Sequence, residues 1–139
     1  MSKSRNNSVQ HQRTRHDHAS ERAEDYVEAV YEILEQREVC RLVDLASYFG
    51  VSHVTANRIV ARLQKEGLLS TKPYQPICLT SKGKELAIRC RERHVIVYQF
   101  LLSLGVEPAI AAIDAEGIEH HVSQQTLARF KAFLVSQKP

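Results

Sequence analysis

No apolar run in this 139-residue sequence approaches the roughly 20 residues that a membrane-spanning helix requires. The N-terminus is polar and has no apolar stretch of the kind a signal peptide carries, so the expected location is the cytoplasm, with no membrane partner. Only three cysteines are present, Cys40, Cys78 and Cys90, and they are isolated from one another. Without a CxxC pair they offer no zinc ribbon and no thioredoxin-like site, and they read as reduced thiols serving as small apolar residues. Catalytic signatures are missing as well. There is no HExxH, and the reversed HxxEH fails because Glu116 stands where its first histidine belongs. No Ser/His/Asp arrangement stands out, and Lys82-Gly83-Lys84 lacks the rest of a phosphate-binding loop. Neither enzymatic activity nor a small organic substrate is expected.

Lys and Arg are absent from residues 105–122, which carry Glu107, Asp114, Glu116 and Glu119. The formal net charge of +3 hides this segregation, because residues 37–75 hold six Lys and Arg against three acids. A basic middle suits phosphates, and an acidic later segment suits a cation. With 43% apolar and 25% charged residues the composition is that of an ordinary globular chain.

Residues 1–20 are Ser, Asn, Gln, His and Arg, with Val9 as the one branched apolar residue, and are expected to form a disordered basic tail. His11, His16 and His18 could bind metal weakly, but a solvated tail is the simpler reading. Ser20 is placed to cap a helix over 21–37, in which Val27, Val30, Tyr31 and Leu34 form the core stripe. Residues 41–49 read as a short helix with Leu42, Leu45, Ala46 and Phe49 inward, ended by Gly50. Ser52 caps a second helix over 53–66, whose buried stripe is Ala56, Ile59, Val60 and Leu63. The pair has the small residue, turn glycine and core contacts of a helix-turn-helix. Ser52, His53, Val54, Thr55, Asn57, Arg58 and Arg62 are left facing outward, suited to phosphates and base edges. Two apolar runs, 68–71 and 77–80, flank Pro73 and Pro76 and predict a hairpin wing with Lys72, Tyr74 and Gln75 near DNA. A long helix follows to about Leu104, with Leu86, Cys90, His94, Val97 and Leu101 on one face. Helices over 108–121 and 124–136 complete the chain. Their leftover apolar surface would be covered most naturally by a second copy.

Glu116, Glu119 and His120 stand at i, i+3 and i+4, one above another if helical. Asp25 and Glu28 form another i, i+3 pair. Taken alone, the first helix reads as having a solvated acidic face, and His94 as a core histidine. Taken together, these six groups offer four carboxylates and two imidazoles, with no sulfur among them. Such a set favours Mn²⁺ or Fe²⁺ over Cu⁺.

Asp25-Tyr26-Val27-Glu28, the Gly50-Val51-Ser52 turn, Leu79-Thr80-Ser81-Lys82-Gly83, Arg93-His94 and Glu116-Gly117-Ile118-Glu119-His120-His121 occur in one order. That order resembles the manganese-responsive branch of the diphtheria-toxin-repressor family of metalloregulators, over about residues 21–136. The resemblance implies a mainly α chain: an N-terminal winged helix-turn-helix (21–80) followed by a helical metal-binding and dimerisation domain (81–139). It implies a homodimer on double-stranded operator DNA that represses manganese-uptake genes when Mn²⁺ is bound. By motif, the implied ligands are Asp25, Glu28, His94, Glu116, Glu119 and His120, holding a pair of Mn²⁺ ions per protomer. His121 is implied to be outer-shell or exposed. Iron-sensing relatives place methionine where Asp25 stands and cysteine where Glu116 stands, so the carboxylates here favour manganese. The alternatives are an iron- or zinc-responsive repressor of the same family and a metal-independent winged-helix regulator.

Overall fold

Among the described residues six helices and one hairpin follow one another. The computed structural model describes residues 2–137, with side chains from His18 onward. The elements are α1 (Ser2–Gln36), α2 (Leu42–Phe49), α3 (His53–Lys65), β1 (Leu69–Ser70), β2 (Cys78–Leu79), α4 (Ser81–Ser103), α5 (Pro108–Ile118) and α6 (Gln124–Ser136). They form two compact units. A helix-turn-helix unit comprises Arg22–Arg89, and a helical unit comprises Met1–Glu21 with Cys90–Pro139.

The start of α1 corrects the sequence reading. The expected disordered tail is helical backbone from Ser2, and Ser20 lies inside the helix rather than capping it. Residues 2–20 contain neither glycine nor proline, so nothing in the tail interrupts a helix that packing fixes further on. The side chains of His11 and His16 lie outside the described residues.

In the helix-turn-helix unit, α1 buries Ala23, Tyr26, Val27, Ala29, Val30 and Ile33. Tyr31 and Leu34, two of the four residues expected in the stripe, are only partly covered at its edge. The buried face is centred on Val27 and Val30 and is wider than the 3.6-residue stripe implied. The Tyr26 ring stacks on Phe49 of α2 at 4.2 Å. Burial raises the Tyr26 hydroxyl pKa, partly opposed by Arg22. The α2–α3 turn follows its residues closely. Gly50 takes φ +63°, ψ +38°, the left-handed conformation that glycine adopts without a Cβ clash. Val51 N–H then donates to Ala46 O at 3.0 Å. The Ser52 hydroxyl accepts from Thr55 N–H at 3.1 Å and caps α3. At the start of α2 the Asp44 carboxylate accepts from Arg41 N–H at 2.9 Å, and Arg37 meets Asp44 at 3.1 Å. All four residues expected in the α3 stripe, Ala56, Ile59, Val60 and Leu63, are buried.

β1 and β2 pair antiparallel with Leu69 opposite Leu79 and Ser70 opposite Cys78. Cys40 adds a bridge to Ile77, whose N–H donates to Cys40 O at 2.7 Å. Thr80 closes the hairpin onto α3's end, its hydroxyl donating to Gly67 O at 2.6 Å. Gly83 in the first turn of α4 has a packing reason. A Cβ built there would collide with the Leu68 carbonyl oxygen.

In the helical unit Cys90 and Val97 of α4 are buried, and Phe100 stacks on Phe130 of α6 at 4.0 Å. α5 departs from expectation at its end. It ends at Ile118, with Glu119 as its C-cap in right-handed helical geometry and His120 in the turn beyond. Its buried residues are Ala111 and Ala115, whereas Ile110, Ile113 and Ile118 are exposed. Small residues let α5 lie close within its unit, and the branched ones face away.

Candidate metal centre and nucleic-acid face

Glu119 is buried, only 3% exposed, and the His120 side chain beside it is equally covered. One Glu119 carboxylate oxygen lies 3.1 Å from His94 Nδ1, and the other lies 3.5 Å from His120 Nε2. The sequence places these groups locally. Glu119 and His120 sit where α5 ends, and His94 sits on the half-buried face of α4, four residues after Cys90 and three before Val97. A carboxylate removed from water is costly unless a positive charge or donor faces it. Here an imidazole lies beside each of the two oxygens. The same three side chains also present nitrogen and oxygen donors of the kind that suits a hard or borderline divalent ion. No sulfur enters the cluster. His94 is therefore neither a plain core histidine nor a solvated one.

The remaining residues of the expected set stand as follows. Glu116 is exposed on the last turn of α5. Asp25 and Glu28 are half-buried on α1, three residues apart and so on one face of it. His121 is partly exposed, and its Nε2 lies 3.2 Å from the Glu21 carboxylate. Glu21 was not singled out in the sequence. Its signal was present in the spacing of Glu21, Asp25 and Glu28, four and three residues apart along α1.

On the helix-turn-helix unit Ser52, His53, Val54, Thr55, Asn57 and Arg58 are all exposed, as are Lys72, Tyr74 and Gln75 on the hairpin. Arg62 differs. It is half-buried and its Nε lies 3.6 Å from Glu66 Oε1, so it is the least available of the ten residues expected at DNA. A groove of about 630 Å³ runs between α3 and the hairpin, lined among others by Arg41, His53, Asn57, Gln64, Lys72 and Tyr74. Arg41 and Gln64 were not expected here. Arg41 reaches the groove from the start of α2, and Gln64 donates to Thr71 O at 3.0 Å and so braces the hairpin against α3. No helix among the described residues is long and apolar enough to cross a membrane.

The chain matches two family models in tandem. Residues 18–77 match the iron dependent repressor N-terminal DNA binding domain. Residues 80–137 match the iron dependent repressor metal binding and dimerisation domain. It is similar to the transcriptional regulator MntR of Escherichia coli O157:H7, with 45% identity over 116 residues, 84% of this chain and 75% of that protein. It is 46% identical over 116 residues to the MntR of Salmonella typhimurium (strain LT2), covering 84% of this chain and 74% of that one. Among solved structures, a manganese-dependent transcriptional repressor in complex with manganese superposes with a TM-score of 0.72 at 30% identity. That match covers 81% of this chain, which spans about half of that structure's length, 52%.

Proposed function

The chain belongs to the family of iron-dependent repressors, and on that footing we propose that it is a manganese(II)-responsive DNA-binding transcriptional regulator that represses manganese-uptake genes. The observation that carries the metal part is the buried Glu119 carboxylate held between His94 and His120. An oxygen–nitrogen donor set without sulfur fits Mn²⁺. The names of the similar proteins and the manganese-bound structure support the same metal. The proposed ligand set is Asp25, Glu28, His94, Glu116, Glu119 and His120, which has donors enough for two ions per protomer. The protein acts as a homodimer on operator DNA in the cytoplasm, and not as an enzyme.

Asp25 and Glu28 belong to the unit that carries α3, and the other four ligands belong to the helical unit. When bound, the ions supply the positive charge that four carboxylates sharing a site require. Without that charge the ligands repel one another and the DNA-binding units are free to sample many spacings. With it, the ligands favour the spacing at which two copies of α3 enter major grooves roughly 34 Å apart. The effect is limited by the difference in ion affinity between the two states. Ser52, His53, Val54, Thr55, Asn57 and Arg58, with Lys72, Tyr74 and Gln75 and the less available Arg62, form the DNA contact surface.

The test measures DNA affinity of the full chain with Mn²⁺, Fe²⁺, Co²⁺ or Zn²⁺ and without metal. Stronger activation by Mn²⁺ at the concentrations cells maintain is expected. Equal affinity with and without metal would sink the switch, and preferential activation by Fe²⁺ or Zn²⁺ would move the chain to another branch of its family. Tight Zn²⁺ binding alone decides nothing, since zinc outcompetes manganese at most sites.

A further inference from the structure

Glu21 stands in the helical unit beside both histidines that follow Glu119. Its Oε2 lies 3.2 Å from His121 Nε2. One of its carboxylate oxygens also lies within 4.8 Å of a His120 ring nitrogen. With metal–ligand bonds of about 2.1–2.5 Å, two ligand atoms of one octahedral ion stand about 3–5 Å apart. Glu21 and His120 are therefore close enough to share an ion. A carboxylate has about four acceptor positions, so contact with His121 and a bond to an ion are compatible. Along α1, Glu21, Asp25 and Glu28 follow at four and three residues and share one face of the helix. Glu21 thus extends by one turn the row of carboxylates to which the proposed ligands Asp25 and Glu28 belong. Its side chain and that of His121 are 31% and 41% exposed. An ion pair that open to water adds little to folding, so stability alone gives Glu21 little reason to stand there.

We propose that Glu21 is a further ligand of the metal centre, and the one that tilts its selectivity toward Mn²⁺. This rests on the manganese-responsive function proposed above and adds a fifth carboxylate to the four in its ligand set. An added oxygen ligand raises the coordination number available to the ion. Mn²⁺ takes about six oxygen and nitrogen ligands, whereas Zn²⁺ settles with about four. The extra carboxylate therefore strengthens binding of Mn²⁺ and does little for Zn²⁺. Such a bias counts at a site of this kind, because manganese binds most weakly of the divalent first-row ions at a given set of donors.

The experiment titrates Mn²⁺ and Zn²⁺ separately into the full metal-free chain and into Glu21→Gln and His121→Ala. Affinity is read by calorimetry, and free Mn²⁺ by its electron spin resonance. Glutamine keeps the length of the side chain and a hydrogen-bonding group for His121, but it is uncharged and a poor metal ligand. Expected for Glu21→Gln are a loss of Mn²⁺ affinity of about tenfold or more and a loss of Zn²⁺ affinity of no more than about threefold. His121→Ala is expected to lower Mn²⁺ affinity far less than Glu21→Gln does. Melting curves without metal verify that both variants fold. A Glu21→Gln chain with the parent's Mn²⁺ affinity, or with equal losses for the two metals, would overturn the proposal while leaving the six-ligand centre intact. A His121→Ala loss equal to that of Glu21→Gln would overturn it as well, because Glu21 would then act through His121. A parent chain that takes up no Mn²⁺ would overturn the manganese-responsive function itself and this proposal with it.

Discussion

Glu119 and His94 meet at 3.1 Å through Oε2 and Nδ1, and Glu119 is buried. Replacing Glu119 by glutamine keeps the shape and removes the charge. The apo chain is expected to fold with an unchanged or raised melting temperature, because a buried carboxylate is no longer desolvated. Mn²⁺ affinity is expected to fall at least about 100-fold, as loss of a charged ligand costs no less than loss of an outer partner. Calorimetric titration of Mn²⁺ into parent and variant measures it. An undiminished Mn²⁺ affinity would remove Glu119 from the ligand set.

The exposed face of α3 makes its own prediction through Arg58 and Arg62. Arg58 is exposed, whereas Arg62 is held 3.6 Å from Glu66. If each arginine contacts a phosphate, its loss lowers the salt dependence of binding by about one counterion. Arg58→Ala is expected to lower the slope by about that much. Arg62→Ala is expected to lower it less, because the Glu66 pair competes with the phosphate. Equal slope changes would show that the Arg62–Glu66 pair opens on DNA.

Local patterning made the helix-turn-helix legible in advance. Gly50, Ser52 and the Ala56, Ile59, Val60, Leu63 stripe each specify a turn, a cap or a face within a few residues, and each is found as read. Boundaries without a local signal were not legible. Ser20 is a good cap by type, yet α1 runs through it to Ser2 because nothing upstream breaks the helix. On α5 the helical period alone did not tell which apolar residues the unit covers; close approach selects the alanines, so Ala111 and Ala115 are buried while Ile110, Ile113 and Ile118 are exposed. The Glu119–His120 pair was visible as spacing. The Glu21–His121 contact was not, because it joins residues 100 positions apart.

Gly83 tests how tightly the hairpin and α4 are joined. Alanine raises intrinsic helix propensity by about 1 kcal/mol. Here its Cβ would meet the Leu68 carbonyl oxygen, a backbone atom that already accepts from Thr80 N–H at 3.2 Å and from the Thr80 hydroxyl at 3.1 Å. Gly83→Ala is therefore expected to destabilise the chain by about 2 kcal/mol or more. Urea unfolding at fixed protein concentration measures this, and a stabilising result would mean the hairpin can withdraw from α4 freely.

The cysteines separate by environment. Burial pushes the Cys40 thiol up from 9.0 to about 11, with Asp44 and Cys78 adding to the shift. Cys78 is exposed, and Cys40 and Cys90 are buried. A thiol reagent at pH 8 is expected to modify Cys78 alone in the native chain and all three cysteines after unfolding. The raised folded pKa means the unfolded chain releases this proton first. The Cys40 contribution is thus fully present below pH 9, and stability falls as pH rises from about 9 to about 11. Cys40→Ala is expected to flatten that part of the stability profile.

The isoleucines of α5 carry the last prediction. Ile113 is 74% exposed and Ile110 is 49% exposed, on a helix whose buried residues are alanines. Exposed branched side chains one turn apart mark a face that another surface covers, and in a homodimer that surface is a second copy's. Ile113→Lys puts a charge on that face without disturbing Ala111 or Ala115. The variant is expected to keep its helical content, sediment as a monomer at concentrations where the parent is a dimer, and lose most of its operator affinity. The loss in affinity follows because one α3 then contacts its half-site without the linked second contact. Sedimentation and DNA titration on one preparation separate the two effects. A variant that remains dimeric would place the dimer interface on a face other than α5's isoleucines.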